Sequence, residues 1–104
     1  MSKSESEWIF DYSELRRKYP RVYEKDIRCG FYIPSDWLPI VDSLSARIES
    51  HLSLHPEIDF SVDQVKEKFW GLRFYVSGSD EVIDQYIIDA EVAVDELVDA
   101  SRAS

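Results

Sequence analysis

Two histidines, His51 and His55, stand four residues apart, a spacing that places both imidazoles on one face of a helix where they could share a metal ion. A specific metal site needs a third ligand and usually a fourth, and only Glu49, Glu57 and Asp59 lie close in sequence. The alternative is that both are surface histidines, with His51 hydrogen-bonded to the last carbonyls of its helix. We therefore expect surface histidines and neither a metal nor another cofactor, and keep a metal-dependent enzyme that uses the pair as an alternative.

Other groups that could do covalent or acid–base chemistry lack the sequence context that such chemistry needs. Cys29 is the only cysteine, and Gly30 after it belongs to no recognised nucleophile or oxyanion motif. We expect a buried thiol that packs as a small apolar group. Paired carboxylates occur by chance among 21 acidic residues, and three glycines form no phosphate-binding loop. The sequence predicts no catalytic residue, and the protein is not expected to be an enzyme.

Acidic residues are concentrated near the carboxyl end of the chain. The stretch between Arg73 and Arg102 contains no Lys or Arg but carries eight acids: Asp80, Glu81, Asp84, Asp89, Glu91, Asp95, Glu96 and Asp99. On a helix, Asp84, Glu91, Asp95 and Asp99 fall in one sector away from the apolar stripe, although acids four apart repel by about 0.2–0.5 kcal/mol per pair. This pattern predicts a surface for a basic partner protein. The alternative is a solvated face in contact with the basic residues 16–28.

Aromatic and basic residues alternate in a second segment, residues 58–76. Period-2 spacing there predicts an antiparallel hairpin with a tight glycine-containing turn, in which Arg73 and Tyr75 face away from Leu72 and Phe74. The mixture of Lys66, Lys68, Phe69, Trp70, Arg73 and Tyr75 could stack the bases of a single nucleic-acid strand. The alternative is aromatic packing with cross-strand ion pairs, such as Glu67 with Arg73.

These residues must be positioned by a small number of elements. Apolar spacings predict helices over about residues 11–19, 35–56 and 80–100, around the hairpin. A third strand from residues 27–33 would complete the sheet, because a lone hairpin is marginal in water. The predicted fold is α+β in the order helix, helix, strand, strand, helix. It forms a single domain over residues 1–104, with residues 1–7 as a flexible tail.

Composition limits the partners that the chain can have. A formal net charge of −9 and a pI near 4.6 argue against duplex nucleic acid and against anionic membranes. No apolar run reaches the roughly 18 residues of a spanning helix, and residues 1–5 lack the apolar core of a signal peptide. One cysteine fits a reducing compartment. We expect a cytoplasmic protein with a basic protein partner, and leave the oligomeric state open.

The hairpin segment also resembles a known signature. Residues 64–76 read QVKEKFWGLRFYV, similar to the VKEKFGGLRFYV of small uncharacterised proteins from bacteria, phages and prophages. The resemblance extends over about residues 12–98, including Tyr19–Pro20, a helix led by Trp37 and the acidic helix. Many relatives continue into paired cysteines that resemble a zinc-binding tail, which this sequence lacks, so the resemblance implies no metal here. Trp70 replaces a small residue of the usual turn.

The resemblance implies no activity, but association with mobile elements is typical of host-directed inhibitors and accessory interaction proteins. We therefore expect a small acidic protein that binds or inhibits a basic host or partner protein through its acidic helix and aromatic hairpin. The candidate binding residues are Asp84, Glu91, Asp95, Asp99, Trp70, Arg73 and Tyr75. The alternatives are a metal-dependent enzyme using His51 and His55, and a single-stranded nucleic-acid binder using the hairpin.

Overall fold

A computed structural model describes residues 7–103, so nearly all of the predicted tail over residues 1–7 lies outside the described residues. The described part is an α+β domain with a four-stranded mixed sheet and three α-helices. In chain order, the elements are β1 (Trp8–Ile9), α1 (Ser13–Lys18), β2 (Phe31–Pro34), a 3₁₀ turn (Ser35–Trp37), α2 (Leu38–Leu54), β3 (Ser61–Lys68), β4 (Gly71–Ser77) and α3 (Glu81–Ala103).

The sheet differs from the predicted one in strand number and direction. Its order is β1-β2-β3-β4, with antiparallel pairs at both sides and a parallel pair between β2 and β3. The predicted third strand over residues 27–33 is found at Phe31–Pro34, with Phe31 opposite Val65. It runs parallel to β3 because α2 carries the chain across before β3 begins. The two-residue strand β1, which was not predicted, pairs with β2.

The predicted second helix is confirmed with a different start. A 3₁₀ turn takes residues 35–37, and α2 begins at Leu38 with Pro39 in its first turn, where a missing N–H leaves no helical bond unmade. The helix ends at Leu54. Its buried stripe repeats every three to four residues and consists of Val41, Leu44, Ile48 and Leu52.

The predicted hairpin is confirmed, but its turn is not the predicted one. Phe69 and Trp70 alone connect β3 to β4, with φ angles of 53° and 67°. Gly71 is already the first residue of β4, so the turn contains no glycine. A two-residue turn with both φ angles positive matches the right-handed twist of the two strands. The backbone adopts this turn even though positive φ angles are unfavourable for Phe and Trp.

One hydrophobic core joins the strands to the long helices. Most of the predicted apolar faces of β4 and α3 are buried, whereas Val76 is half-buried and Leu97 is exposed; the buried residues are Leu72, Phe74, Ile83, Ile87, Ala90 and Val94. The loop between α1 and β2 is held by Glu49, whose carboxylate accepts hydrogen bonds from the backbone N–H groups of Arg21 and Val22. A buried hydrogen bond of 2.6 Å joins Tyr23 to Ser45, and burial raises the pKa of Tyr23.

The connection from β4 to α3 depends on a glycine. Gly78 has φ +77°, and a Cβ there would lie 2.0 Å from the Asp59 carbonyl oxygen, so other residues are excluded sterically. The helix that follows is 23 residues long and extends further than predicted. In the described part of the chain, no helix combines the length and the apolar character needed to cross a membrane.

Candidate functional site

The hairpin tip carries two large exposed rings on a strained backbone. Phe69 is 80% exposed and Trp70 is 67% exposed. A left-handed conformation costs a non-glycine residue of order 1–3 kcal/mol, and two-residue turns of this type favour Asn-Gly. The turn is held by Glu67, whose Oε2 accepts the Trp70 backbone N–H at 2.8 Å. The fold therefore presents two aromatic rings to solvent on a turn whose backbone is held in place.

A groove of about 360 Å³ lies beside this tip and is lined by all three tryptophans of the chain, with Leu97 and Val98 of α3. We call it the tryptophan groove: Trp8, Trp37, Trp70, Leu97 and Val98. Trp37 is 4% exposed and forms a fixed wall. Trp8 stacks on Tyr32 with ring centroids 5.0 Å apart, which limits its rotation. Leu97 is 38% exposed because it lines this groove and not the core.

Charged residues also line the tryptophan groove. Asp36 and Glu67 contribute carboxylates, and Arg102 contributes one guanidinium. A third acid, Asp95, is adjacent to the hairpin tip together with a second base, Arg73: Asp95 Oδ1 lies 3.5 Å and Arg73 Nη1 lies 3.1 Å from the Cβ position of Gly71. Acids therefore outnumber bases around the groove, and this end of α3 adjoins the aromatic tip.

The remaining predicted acids of α3 do not form one continuous surface. Asp84 accepts a hydrogen bond of 2.6 Å from Ser79, and lies about 16 Å from Asp95 along the helix axis. Glu91 is half-buried; burial raises its pKa, whereas the Arg73 guanidinium and the Phe74 N–H act in the opposite direction. Asp99 is exposed one helical turn beyond Asp95. Only the carboxyl-terminal part of the predicted acidic face therefore adjoins the groove.

Neither of the two predicted β4 residues lines the tryptophan groove, although the Arg73 guanidinium lies beside the hairpin tip with Asp95. The register places Arg73 opposite Lys66 and Glu67 opposite Leu72, so the predicted Glu67–Arg73 ion pair is wrong. Arg73 instead lies near Glu91 and donates to the Leu72 carbonyl at 3.1 Å. Tyr75 is exposed on the outer face of the sheet.

His51 of the histidine pair connects α2 to the beginning of α3. His51 Nε2 lies 2.7 Å from Asp80 Oδ2, rather than at the last carbonyls of α2, and Asp80 Oδ1 accepts the Ile83 N–H that begins α3. The Ile83 amide and then His51 lower the pKa of Asp80. His55 packs against His51 with ring centroids 4.4 Å apart. Within residues 7–103, no group of three or more His, Cys, Asp or Glu side chains is placed to hold a metal ion.

Cys29 and the basic segment also depart from expectation. Cys29 is exposed before β2, so the predicted buried thiol is wrong. The basic segment pairs locally, in Arg16–Asp26, Arg17–Glu14, Lys18–Asp42 and Lys25–Asp59. Among the described side chains, no ion pair joins residues 16–28 to α3, so the predicted contact between these two segments is not found. The acids of α3 have other neighbours: Asp89 pairs with Arg47, and Glu91 is half-buried near Arg73.

Sequence reasoning identified Trp70 but missed two of the three tryptophans. Trp8 and Trp37 lie far apart in sequence, and only the pairing of β1 with β2 and the crossover through α2 bring them beside the hairpin tip. The only indication in the sequence was that tryptophan is a rare residue and occurs three times in this short chain.

No family model, curated protein or solved structure matches the chain. The function is therefore inferred from the geometry and charge of the hairpin tip and the groove beside it.

Proposed function

We propose that the protein is a non-enzymatic interaction module that binds a basic protein partner through the tip of the β3–β4 hairpin and the adjoining end of α3. One observation carries the proposal: Phe69 and Trp70 are held in left-handed conformation with both rings exposed. Folding alone would favour Asn-Gly at these positions. Strain concentrated in exposed aromatic residues is typical of a surface that recognises another molecule.

Charge supports the choice of a basic partner. The chain has a net charge of −9, and the groove end of α3 adds Asp95 and Asp99 to the carboxylates of Asp36 and Glu67. Complementary charge raises the rate of encounter and excludes acidic competitors, whereas buried aromatic anchors supply most of the affinity. The tip and the acids are adjacent, so one partner surface can contact both.

The proposal is tested by selecting 12-residue peptides from an unbiased display library on the full immobilised chain. We expect peptides enriched in Arg and Lys. The decisive variant is Phe69→Asn with Trp70→Gly, which removes both rings while supplying the residues that the turn prefers. This double variant should melt at the same temperature as the wild type or higher, and should no longer bind the peptides.

Leu54→Ser is the matched control, because Leu54 is a large exposed apolar residue at the end of α2 remote from the groove. It should retain peptide binding. Peptides without a basic bias, or peptides bound equally well by the stable double variant, would contradict the proposed function.

A further inference from the structure

We infer that the tryptophan groove binds the guanidinium group of an arginine side chain on the basic partner. This inference rests on the proposed function and specifies which group of the partner enters the groove. It is carried by the meeting of three tryptophans and two carboxylates in one groove of about 360 Å³.

The aromatic walls favour a planar cation. The face of an indole ring attracts cations more strongly than the other aromatic side chains do, and a guanidinium can also stack on it because it is flat and weakly hydrated. Trp37 is fixed by burial and Trp8 by its stacking on Tyr32. Trp70 is fixed through its backbone by Glu67. Two of the three walls, Trp8 and Trp37, are therefore arranged before a partner arrives, whereas the Trp70 ring is exposed.

The carboxylates provide acceptors for the same cation. Glu67 uses Oε2 for the turn, and its Oε1 takes part in no hydrogen bond with the described residues. Asp36 is exposed, and no hydrogen bond or ion pair of its carboxylate is found in the described part of the chain. A guanidinium has five N–H donors and pairs well with carboxylates, so it can satisfy both acids while its plane contacts the rings.

Arg102 distinguishes a cationic occupant from an apolar one. Its side chain also lines the groove and its charge opposes the entry of a second guanidinium. Replacing it by glutamine should therefore strengthen the binding of a cation and leave the binding of an apolar side chain nearly unchanged. A carboxylate-bearing occupant would be bound more weakly by the same variant.

The test is a titration of the full chain with N-acetylarginine amide. Binding is monitored by tryptophan fluorescence and by NMR of the indole N–H signals. N-acetylcitrulline amide, which has nearly the same shape but no charge, is the matched ligand. We expect the citrulline compound to bind about tenfold more weakly, because it lacks charge-assisted hydrogen bonds. Asp36→Asn should weaken arginine binding, and Arg102→Gln should strengthen it about two- to threefold.

Equal binding of the two ligands, or weaker arginine binding by Arg102→Gln, would overturn the inference. Failure of the inference is distinguishable from failure of the proposed function. If basic peptides still bind the wild type and not the stable Phe69→Asn, Trp70→Gly variant, the interaction surface stands and only the arginine assignment of the groove is wrong.

Discussion

A single carboxylate, that of Asp80, joins the two long helices of the protein. One of its oxygens accepts the Ile83 N–H at the start of α3, and the other lies 2.7 Å from His51 near the end of α2. Both contacts favour the ionised form, so the pKa of Asp80 is lower in the folded chain than its ordinary value of 3.8. The histidine that could have been a metal ligand thus has a structural partner that accounts for its position.

The Asp80 contact predicts a pH dependence of defined sign. Because the folded-state pKa is depressed, the stabilisation is present above the unfolded-state pKa near 3.8 and is lost as pH falls through the lower folded-state pKa. Asp80→Asn keeps an oxygen for the helix cap but removes the charge. We expect the wild type to be more stable than this variant at pH 5 by about 0.5 kcal/mol, and this difference to shrink as the pH is lowered below 3.8.

Urea unfolding followed by tryptophan fluorescence measures this difference. Comparing two chains that differ at one position cancels the titration of the other acids. A difference that persists unchanged at pH 3 would mean that asparagine disturbs the cap geometry, and that the charge of Asp80 has no effect on stability.

The two ends of helix α3 have different surroundings. Asp84 is near its beginning and bonds Ser79, whereas Asp95 adjoins the hairpin tip about 16 Å further along the axis. That distance is about twice the Debye length at physiological salt. Asp95→Asn should therefore weaken binding of a selected basic peptide by about two- to fivefold, and Asp84→Asn, with the same change of charge, should have little effect.

Fluorescence anisotropy with a labelled peptide compares the two variants directly. Equal losses for both variants would mean that the whole length of α3 contacts the partner, as its sequence pattern suggests. If both variants bind the peptide as well as the wild type does, α3 is not part of the interaction surface.

The elements of this fold were predictable to the extent that their signals are local. The stripes of α2 and α3 and the alternation of β4 depend on neighbours within a few residues, and they appear as expected. The pairing of β2 with β3 depends on the crossover through α2, and β1 is only two residues long, so neither had a local pattern. The turn was mispredicted because Gly71 is adjacent to the residues that carry the positive φ angles.

The residues of the candidate site also divide into those with a local sequence pattern and those whose position depends on the folded chain. Trp70 and Asp95 were predictable from the turn and from the charge pattern. Asp36 and Trp37 belong to a 3₁₀ turn whose place beside the hairpin follows from sheet order alone. A groove assembled from the ends of four separate segments has no signature in any one of them.

At the scale of the whole molecule, the charges are segregated. Four of the basic residues between positions 16 and 28 form ion pairs, and all four of their acidic partners lie outside α3. This basic segment therefore does not neutralise the negative charge of α3. A surface of one sign attracts a partner of the other before contact, and this attraction weakens as salt screens it. The segregation therefore predicts which kinetic constant of the interaction responds to salt.

Stopped-flow tryptophan fluorescence with a selected basic peptide measures both rate constants. Between low ionic strength and about 0.5 M salt, the association rate should fall about tenfold or more, because long-range attraction is screened. The dissociation rate should change less, because the aromatic contacts at the tip and in the groove are short-range. Asp95→Asn should reduce the salt dependence of association more than Asp84→Asn does. An association rate that is independent of salt would show that the net charge of −9 has no part in partner recognition.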